Sequence, residues 1–205
     1  MDRVETIFSM TMQEIKDSIN KWKDIMGNSE ALNEYFEQGN CFLYDFPKYA
    51  EDSDYIHAYP GIHGDFLIFM FIPSNYDKPE TKDIQSYVKA SLAIQGQNTG
   101  RITKEEAVVR ISDWVNHHKT WVKEQVDRPE GMFQAFQIDR DDYELSNTEN
   151  YLGLKRHLLS HKTADLIVAN LDGKDEVQYF DDFSTPVPPY SSSSAPQSSF
   201  YLLTL

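Results

Sequence analysis

His57 and His63 flank a Tyr59-Pro60-Gly61 stretch, and Asp65 follows two positions later. If the chain folds back on itself at Pro60-Gly61, both imidazoles and the carboxylate face one cleft. Such a trio is suited to general acid–base catalysis, because imidazole gains and loses its proton near neutral pH and a carboxylate can orient it. The plainer reading places both histidines at strand ends as amphipathic residues. His157 and His161 form a second pair, four apart, the spacing of two ligands on one helical face. Glu149 or Asp165 would complete that metal site. Leu158 and Leu159 between the histidines, and Lys155, Arg156 and Lys162 around them, weigh against it.

Other reactive types are sparse. Cys41 is the one cysteine, so neither an internal disulfide nor a multi-thiol zinc site can form. It sits beside Phe42 in an apolar segment, where a thiol packs rather than reacts. Asp139, Asp141, Asp142 and Glu144 make a short acidic run without the glycine and spaced glutamate of a calcium loop, and read as a solvated loop. His117 and His118 fall on an amphipathic helix, with His118 on its apolar side. Phosphate-binding loops and nucleophile elbows are missing, and Gly173 alone makes no dinucleotide fingerprint. No cofactor is implied.

The elements that would carry these residues are short. Thr11-Met12-Gln13-Glu14 has capping-box spacing, and Ile15, Ile19, Trp22 and Met26 continue at helical intervals up to Gly27, which can end the helix in a left-handed turn. Ser29 opens a second helix closed by Gly39. Strands are expected over 41–46, 55–59 and 65–72, with a turn at Pro60-Gly61. The 83–95 segment fits both periods, and its length favours a helix. Thr103-Lys104-Glu105-Glu106 is a second capping box, leading a helix to about Val126. Beyond it come a strand over 132–138, a polar exposed stretch over 139–150, and an apolar 151–159 segment of either type. Asp172-Gly173 marks a hairpin between 164–171 and 176–180. The Pro- and Ser-rich 185–199 segment reads as an extended loop, and Phe200–Leu205 as a returning strand.

A shift of 92 positions brings Thr11 onto Thr103, Glu14 onto Glu106, Ile19 onto Ile111 and Trp22 onto Trp114. It also brings Gly39 onto Gly131, Tyr59 onto Tyr151 and Gly61 onto Gly153. A slightly longer shift places Asp65-Phe66-Leu67-Ile68 on Asp165-Leu166-Ile167-Val168. What coincides is scaffold: caps, core seam and glycines. The expected fold class is therefore α+β, with two related helix-plus-antiparallel-sheet units in tandem duplication. Residues 1–98 would form the first unit with its connecting segment. Residues 99–205 would form the second, with the Pro/Ser-rich loop and a C-terminal strand.

This unit of Thr-x-x-Glu helix with tryptophan, glycine-led strand, Tyr-x-Gly and Asp-led apolar strand resembles small uncharacterised bacterial proteins. Some of those end in Tyr-Asp-Phe-Ser-x-Pro-Cys-Pro. Here the segment from Tyr179 through Asp182-Phe183-Ser184-Thr185-Pro186-Val187 to Pro189 is similar, with Val187 where a cysteine would stand. A disulfide or metal role for that cysteine is thus missing, and the resemblance implies no function.

Composition bounds the remaining choices. The chain has 205 residues, 19 Lys+Arg against 33 Asp+Glu, and a net charge of −14. The excess is spread along the chain, and no basic patch is present to neutralise phosphate, so nucleic acid is disfavoured as a partner. Residues 1–12 do not read as a signal peptide, and the longest apolar run, 66–73, is too short to cross a bilayer. A cytoplasmic, soluble protein with no membrane contact is the expectation. The leading functional expectation is a non-enzymatic protein-interaction or assembly module, with a protein partner or self-association, in which Phe200–Leu203 adds a strand to a neighbour. The rival is a small hydrolase or metal-dependent enzyme using His57, His63 and Asp65. A third reading is an acidic inhibitor of a nucleic-acid-binding protein.

Overall fold

Thr11 opens α1 (Met12–Ile25) by accepting from the Glu14 amide at 3.3 Å, while the Glu14 carboxylate accepts from the Thr11 amide at 2.7 Å. These reciprocal bonds satisfy two donors that a helix start leaves orphaned. The computed structural model describes residues 6–95, 105–156, 161–174, 176–181, 184–187 and 200–205. Within them, α2 (Ser29–Phe36) is capped by Asn28, whose side chain accepts from the Glu30 and Ala31 amides, rather than by Ser29. The long helix α3 (Glu105–Val126) follows; its expected cap, Thr103, lies outside the described residues.

Ten strands are described: β1 (Ile7–Phe8), β2 (Cys41–Asp45), β3 (Tyr55–His63), β4 (Phe66–Pro73), β5 (Lys89–Leu92), β6 (Ala135–Asp139), β7 (Asn147–Arg156), β8 (Lys162–Leu171), β9 (Val177–Asp181) and β10 (Thr185–Val187). They form a six-stranded sheet, β1-β5-β4-β3-β6-β10, and a four-stranded sheet, β2-β7-β8-β9. Every described pairing is antiparallel. The fold class is α+β.

Side-chain alternation along the strands sorts the core into layers. Ile56, Ala58, Phe69 and Phe71 of the larger sheet meet Phe42, Tyr44, Leu152, Leu166 and Val168 of the smaller one in a central core. The two sheets therefore face each other. On the outer face of the larger sheet, Tyr59, Ile68, Met70 and Ile72 pack against Ile15 and Ile19 of α1. On the outer face of the smaller sheet, Cys41, Tyr151, Ile167 and Ala169 pack against Ala107 of α3, with Ile111 alongside. Trp22 and Trp114, each 1% exposed, reach from α1 and α3 into the central core.

Each sheet draws strands from both halves of the chain. β2 leaves its own neighbours to pair with β7, with Cys41 opposite Tyr151. β6 pairs with β3, with Ala58 opposite Phe136.

Several expectations are corrected. Pro60-Gly61 is not a turn but lies inside β3; the chain reverses at Gly64-Asp65, where Gly64 has φ +60°. A proline is tolerated mid-strand there because the pairing with β6 stops at Ala58. The 83–95 segment is not a helix: a 3₁₀ turn (Ile84–Tyr87) leads into β5, which pairs with β4. Its alternating pattern prevailed because β4 offers a hydrogen-bonding edge that a helix could not use. The 139–150 stretch is only partly exposed. Asp142, Tyr143, Thr148 and Asn150 are buried, and 147–150 begins β7. Gly27 has no positive φ, so α1 ends without a left-handed residue there. The C-terminal Phe200–Leu205 segment is no strand: Tyr201–Thr204 form a 3₁₀ turn, and Phe200 and Leu202 are fully buried in the outer layer of the larger sheet.

Candidate functional site

His57, His63 and Asp65 are not brought together. His57 and His63 lie on one face of β3, but six residues of strand separate them by about 20 Å. His57 is 3% exposed, and its Nδ1 lies 2.7 Å from the Asp77 carboxylate. An ionised carboxylate only accepts, so Nδ1 carries the proton. The Tyr59 hydroxyl donates to the same Asp77 oxygen, and the Leu202 amide donates to the other at 3.2 Å. Burial, and then the adjacent Asp77 charge, push the Tyr59 phenol well above its ordinary value, so it remains a neutral donor. Phe200 covers the imidazole with ring centres 4.1 Å apart. This relay-like set is sealed under the C-terminal turn and holds that turn down. His63 is half-buried against Phe8. Asp65 is exposed at the hairpin turn, where its carbonyl accepts from Gln38.

Of the second pair, His157 lies outside the described residues, and His161 precedes β8. Asp165, considered as a completing ligand, is engaged elsewhere. It accepts from Arg110 Nη1 at 2.7 Å and from the Ser184 hydroxyl at 2.8 Å. Burial pushes its carboxyl up from the usual range, opposed by Lys155, Ser184 and Arg110. The Ser184 oxygen in turn accepts from the Leu166 amide, tying the chain after β9 to β8. Cys41 is fully buried. His118 is a packing residue, stacked on Trp114 with Nδ1 2.9 Å from the Trp114 carbonyl.

A different site emerges where β3 begins and β6 ends. Tyr55 pairs with Asp139, and the Arg140 amide donates to the Asp54 carbonyl at 3.0 Å. That register sets the 51–54 loop beside the 139–141 turn. Between them is an open cleft of about 450 Å³ lined by Glu51, Asp52, Ser53, Asp54, Tyr55, Asp139, Arg140 and Asp141. Five acidic residues and one arginine thus line it. Arg140 is partly committed: Nη1 meets Asp141 at 3.0 Å, and the guanidinium lies over the Phe46 ring at 5.6 Å. The Asp139 carboxylate accepts from the Asp141 amide and fixes the turn. Ser53 is 4% exposed, and its hydroxyl has no hydrogen-bonding partner.

The 139–144 acids read from sequence as a solvated loop, and Glu51-Asp52-Ser53-Asp54 carries no recognised motif. The sequence signal at 51–54 is a second short acidic run, three acids in four positions. Neither run predicts the other, because a non-local strand pairing joins them. Among the described residues, no group of three His, Cys, Asp or Glu side chains is arranged to hold a metal ion. No helix among them is long and apolar enough to cross a membrane. The chain matches no family model, no curated protein and no solved structure.

Proposed function

We propose that this protein is a non-enzymatic interaction module that binds a protein partner or assembles with itself. The observation carrying this reading is where the titratable groups are spent. His57, Asp77 and Asp165 sit inside the fold with structural partners, whereas the cleft presents acids without a histidine or thiol. The separation of His57 from His63 and Asp65 weighs against the hydrolase reading. The C-terminal segment does not serve as a donated strand in this proposal, since Phe200 and Leu202 are committed to the protein's own core. Light scattering on the purified protein, with affinity capture from native extract, tests the reading. A stable dimer or a saturable, stoichiometric partner is expected; a strictly monomeric protein capturing nothing would overturn it.

The acidic-inhibitor reading is a narrower form of the same proposal. It is favoured by the gathering of Glu51, Asp52, Asp54, Asp139 and Asp141 in one place. It requires a partner whose own basic surface contacts nucleic acid.

We also propose that residues 1–98 and 99–205 descend from one duplicated unit. The support is positional. Gly61 in β3 lies under Ser18 of α1, and Gly153 in β7 lies under Arg110 of α3, both pairs related by the 92-residue shift. β3 pairs with β4 as β7 pairs with β8, and the strand that follows the helices in each half, β2 and β6, pairs in the other half's sheet. The Asp65–Asp165 match is not part of this support. Asp65 lies in a turn, while Asp165 lies within β8 opposite Gly153; the residue opposite Gly61 is Ile68.

A further inference from the structure

We infer that the outer face of the larger sheet is a docking groove for a C-terminal turn, and that two copies of this chain join by exchanging residues 200–205. This rests on the interaction-module reading and names the partner as a second copy. The structure shows the groove filled by the chain's own tail. Phe200 and Leu202 are fully buried in the outer apolar cluster that also holds Tyr59, Ile72 and Ile84. The Phe200 ring centre lies 4.1 Å from that of His57 and 6.0 Å from that of Tyr59. The tail's backbone is held as well: the Leu202 amide donates to Asp77 at 3.2 Å, and the Leu203 carbonyl accepts from Lys23 Nζ at 2.9 Å. Apolar anchors two residues apart, with main-chain bonds beside them, are how a groove recognises a short peptide. The turn also carries its own shape: the Leu203 amide donates to the Phe200 carbonyl, and the Thr204 hydroxyl donates to the Tyr201 carbonyl. It can therefore be delivered whole by another chain. Asp77 supplies the demand for it. Its carboxylate is fully buried, one oxygen is taken by His57 and Tyr59, and the other accepts from Leu202. An empty groove deprives that oxygen of this donor, a cost that any copy of the tail removes equally. Residues 188–199 join the tail to β10; six of these twelve are serine and three are proline. Such a length extends to about 40 Å, enough to reach a neighbouring groove. Two chains that trade tails repeat every contact of the single chain and close as a two-fold pair. The tail enters the neighbour as the same turn, not as an added strand.

The test mixes two full chains, one with Lys23→Cys beside the groove and the other with Leu203→Cys in the tail. They are unfolded in urea and refolded together at high concentration, because the tether otherwise keeps each tail near its own groove. Fractions with the native circular dichroism spectrum are then treated with a short bismaleimide. Cys41 is fully buried and stays unreactive. A two-chain product is expected. Moving the α1 cysteine to the exposed neighbouring position, Lys21→Cys, should reduce that product by about 5-fold or more. Adding Phe200→Ala to the tail chain should reduce it by about 10-fold, since that ring is the buried aromatic anchor. A natively purified chain carrying both Lys23→Cys and Leu203→Cys should give an intrachain product, which reports the seat itself. An intrachain product without a two-chain product would overturn the exchange, and so would equal two-chain yields from Lys23→Cys and Lys21→Cys. Absence of both products would overturn the seat on which the exchange depends. A dimer that light scattering still finds after the tail has been cross-linked into its own groove would overturn the tail route while leaving the interaction-module reading intact.

Discussion

Asp77 sits at the meeting point of three donors: His57 Nδ1, the Tyr59 hydroxyl and the Leu202 amide. Asp77→Ala would leave all three buried and unpaired, and is expected to cost about 3–5 kcal/mol in urea denaturation. Because one donor belongs to the C-terminal turn, hydrogen exchange at Leu202 should accelerate before global unfolding. An unchanged Leu202 amide would show that Phe200 packing alone retains the turn. Arg110 and Asp165 make a second buried pair with an opposite lesson about pH. Burial raises the Asp165 carboxyl, so its contribution is present below the unfolded carboxyl value and is lost as pH rises through the folded one. Arg110→Met removes one of the groups that offset burial and raises that carboxyl further. The loss should be about 3–5 kcal/mol at pH 7 and should shrink as pH falls toward the unfolded carboxyl value of about 3.9, because the folded Asp165 takes up its proton first and no longer needs the guanidinium as a counter-charge. Denaturation series at the two pH values check this; a pH-independent loss would assign Arg110 a packing role only.

α1 and α3 cross their sheets so closely that only glycine fits beneath them. A Cβ at Gly61 would lie 2.8 Å from Met70 Cε and 3.1 Å from Ser18 Cβ. At Gly153 it would lie 2.9 Å from Ile167 Cδ1 and 3.3 Å from Arg110 Cβ. Gly61→Ala and Gly153→Ala are each expected to cost about 1–3 kcal/mol, since the nearest obstacle in each is a movable side-chain end. At Gly39 the obstacle is backbone: a Cβ would meet the Ile94 carbonyl oxygen at 2.2 Å. That carbonyl accepts from the Asn40 and Cys41 amides, so it cannot move freely. Gly39→Ala should therefore destabilise more than either strand substitution, and thermal melts of the three variants give the ranking directly.

At the level of the whole chain, the crossed strands β2 and β6 decide how the protein can be divided. Residues 1–98 alone would keep β3, β4 and β5 but lose β6, while β2 would have no β7 to pair with. Unpaired strand edges of this kind drive association. Separately expressed 1–98 and 99–205 are each expected to aggregate or self-associate, and to give a one-to-one complex with restored Trp fluorescence when mixed. Two stable, monomeric fragments would refute the dependence of each half on the other's strand. The same arrangement explains why the cleft belongs to neither half: Glu51–Tyr55 and Asp139–Asp141 meet only because β3 accepts β6.

Local signals in the sequence determined local outcomes. The Thr11–Glu14 box, the apolar faces of α1 and α3, the buried tryptophans and the β8–β9 hairpin were legible because each depends on residues a few positions apart. So was the packing role of His118. Tertiary structure decided what depends on partners distant in the chain. Pro60-Gly61 looked like a turn until β3 found a place where a proline's missing donor and a glycine's missing Cβ were both wanted. β5 became a strand because β4 lay open beside it. His57 left its expected companions for Asp77, a residue no spacing rule connected to it. Strand pairing and core burial are non-local energies, and they prevail wherever local preferences are nearly balanced. The acidic cleft is the clearest case: its two walls are separately unremarkable runs of carboxylates, and one antiparallel register makes them a site.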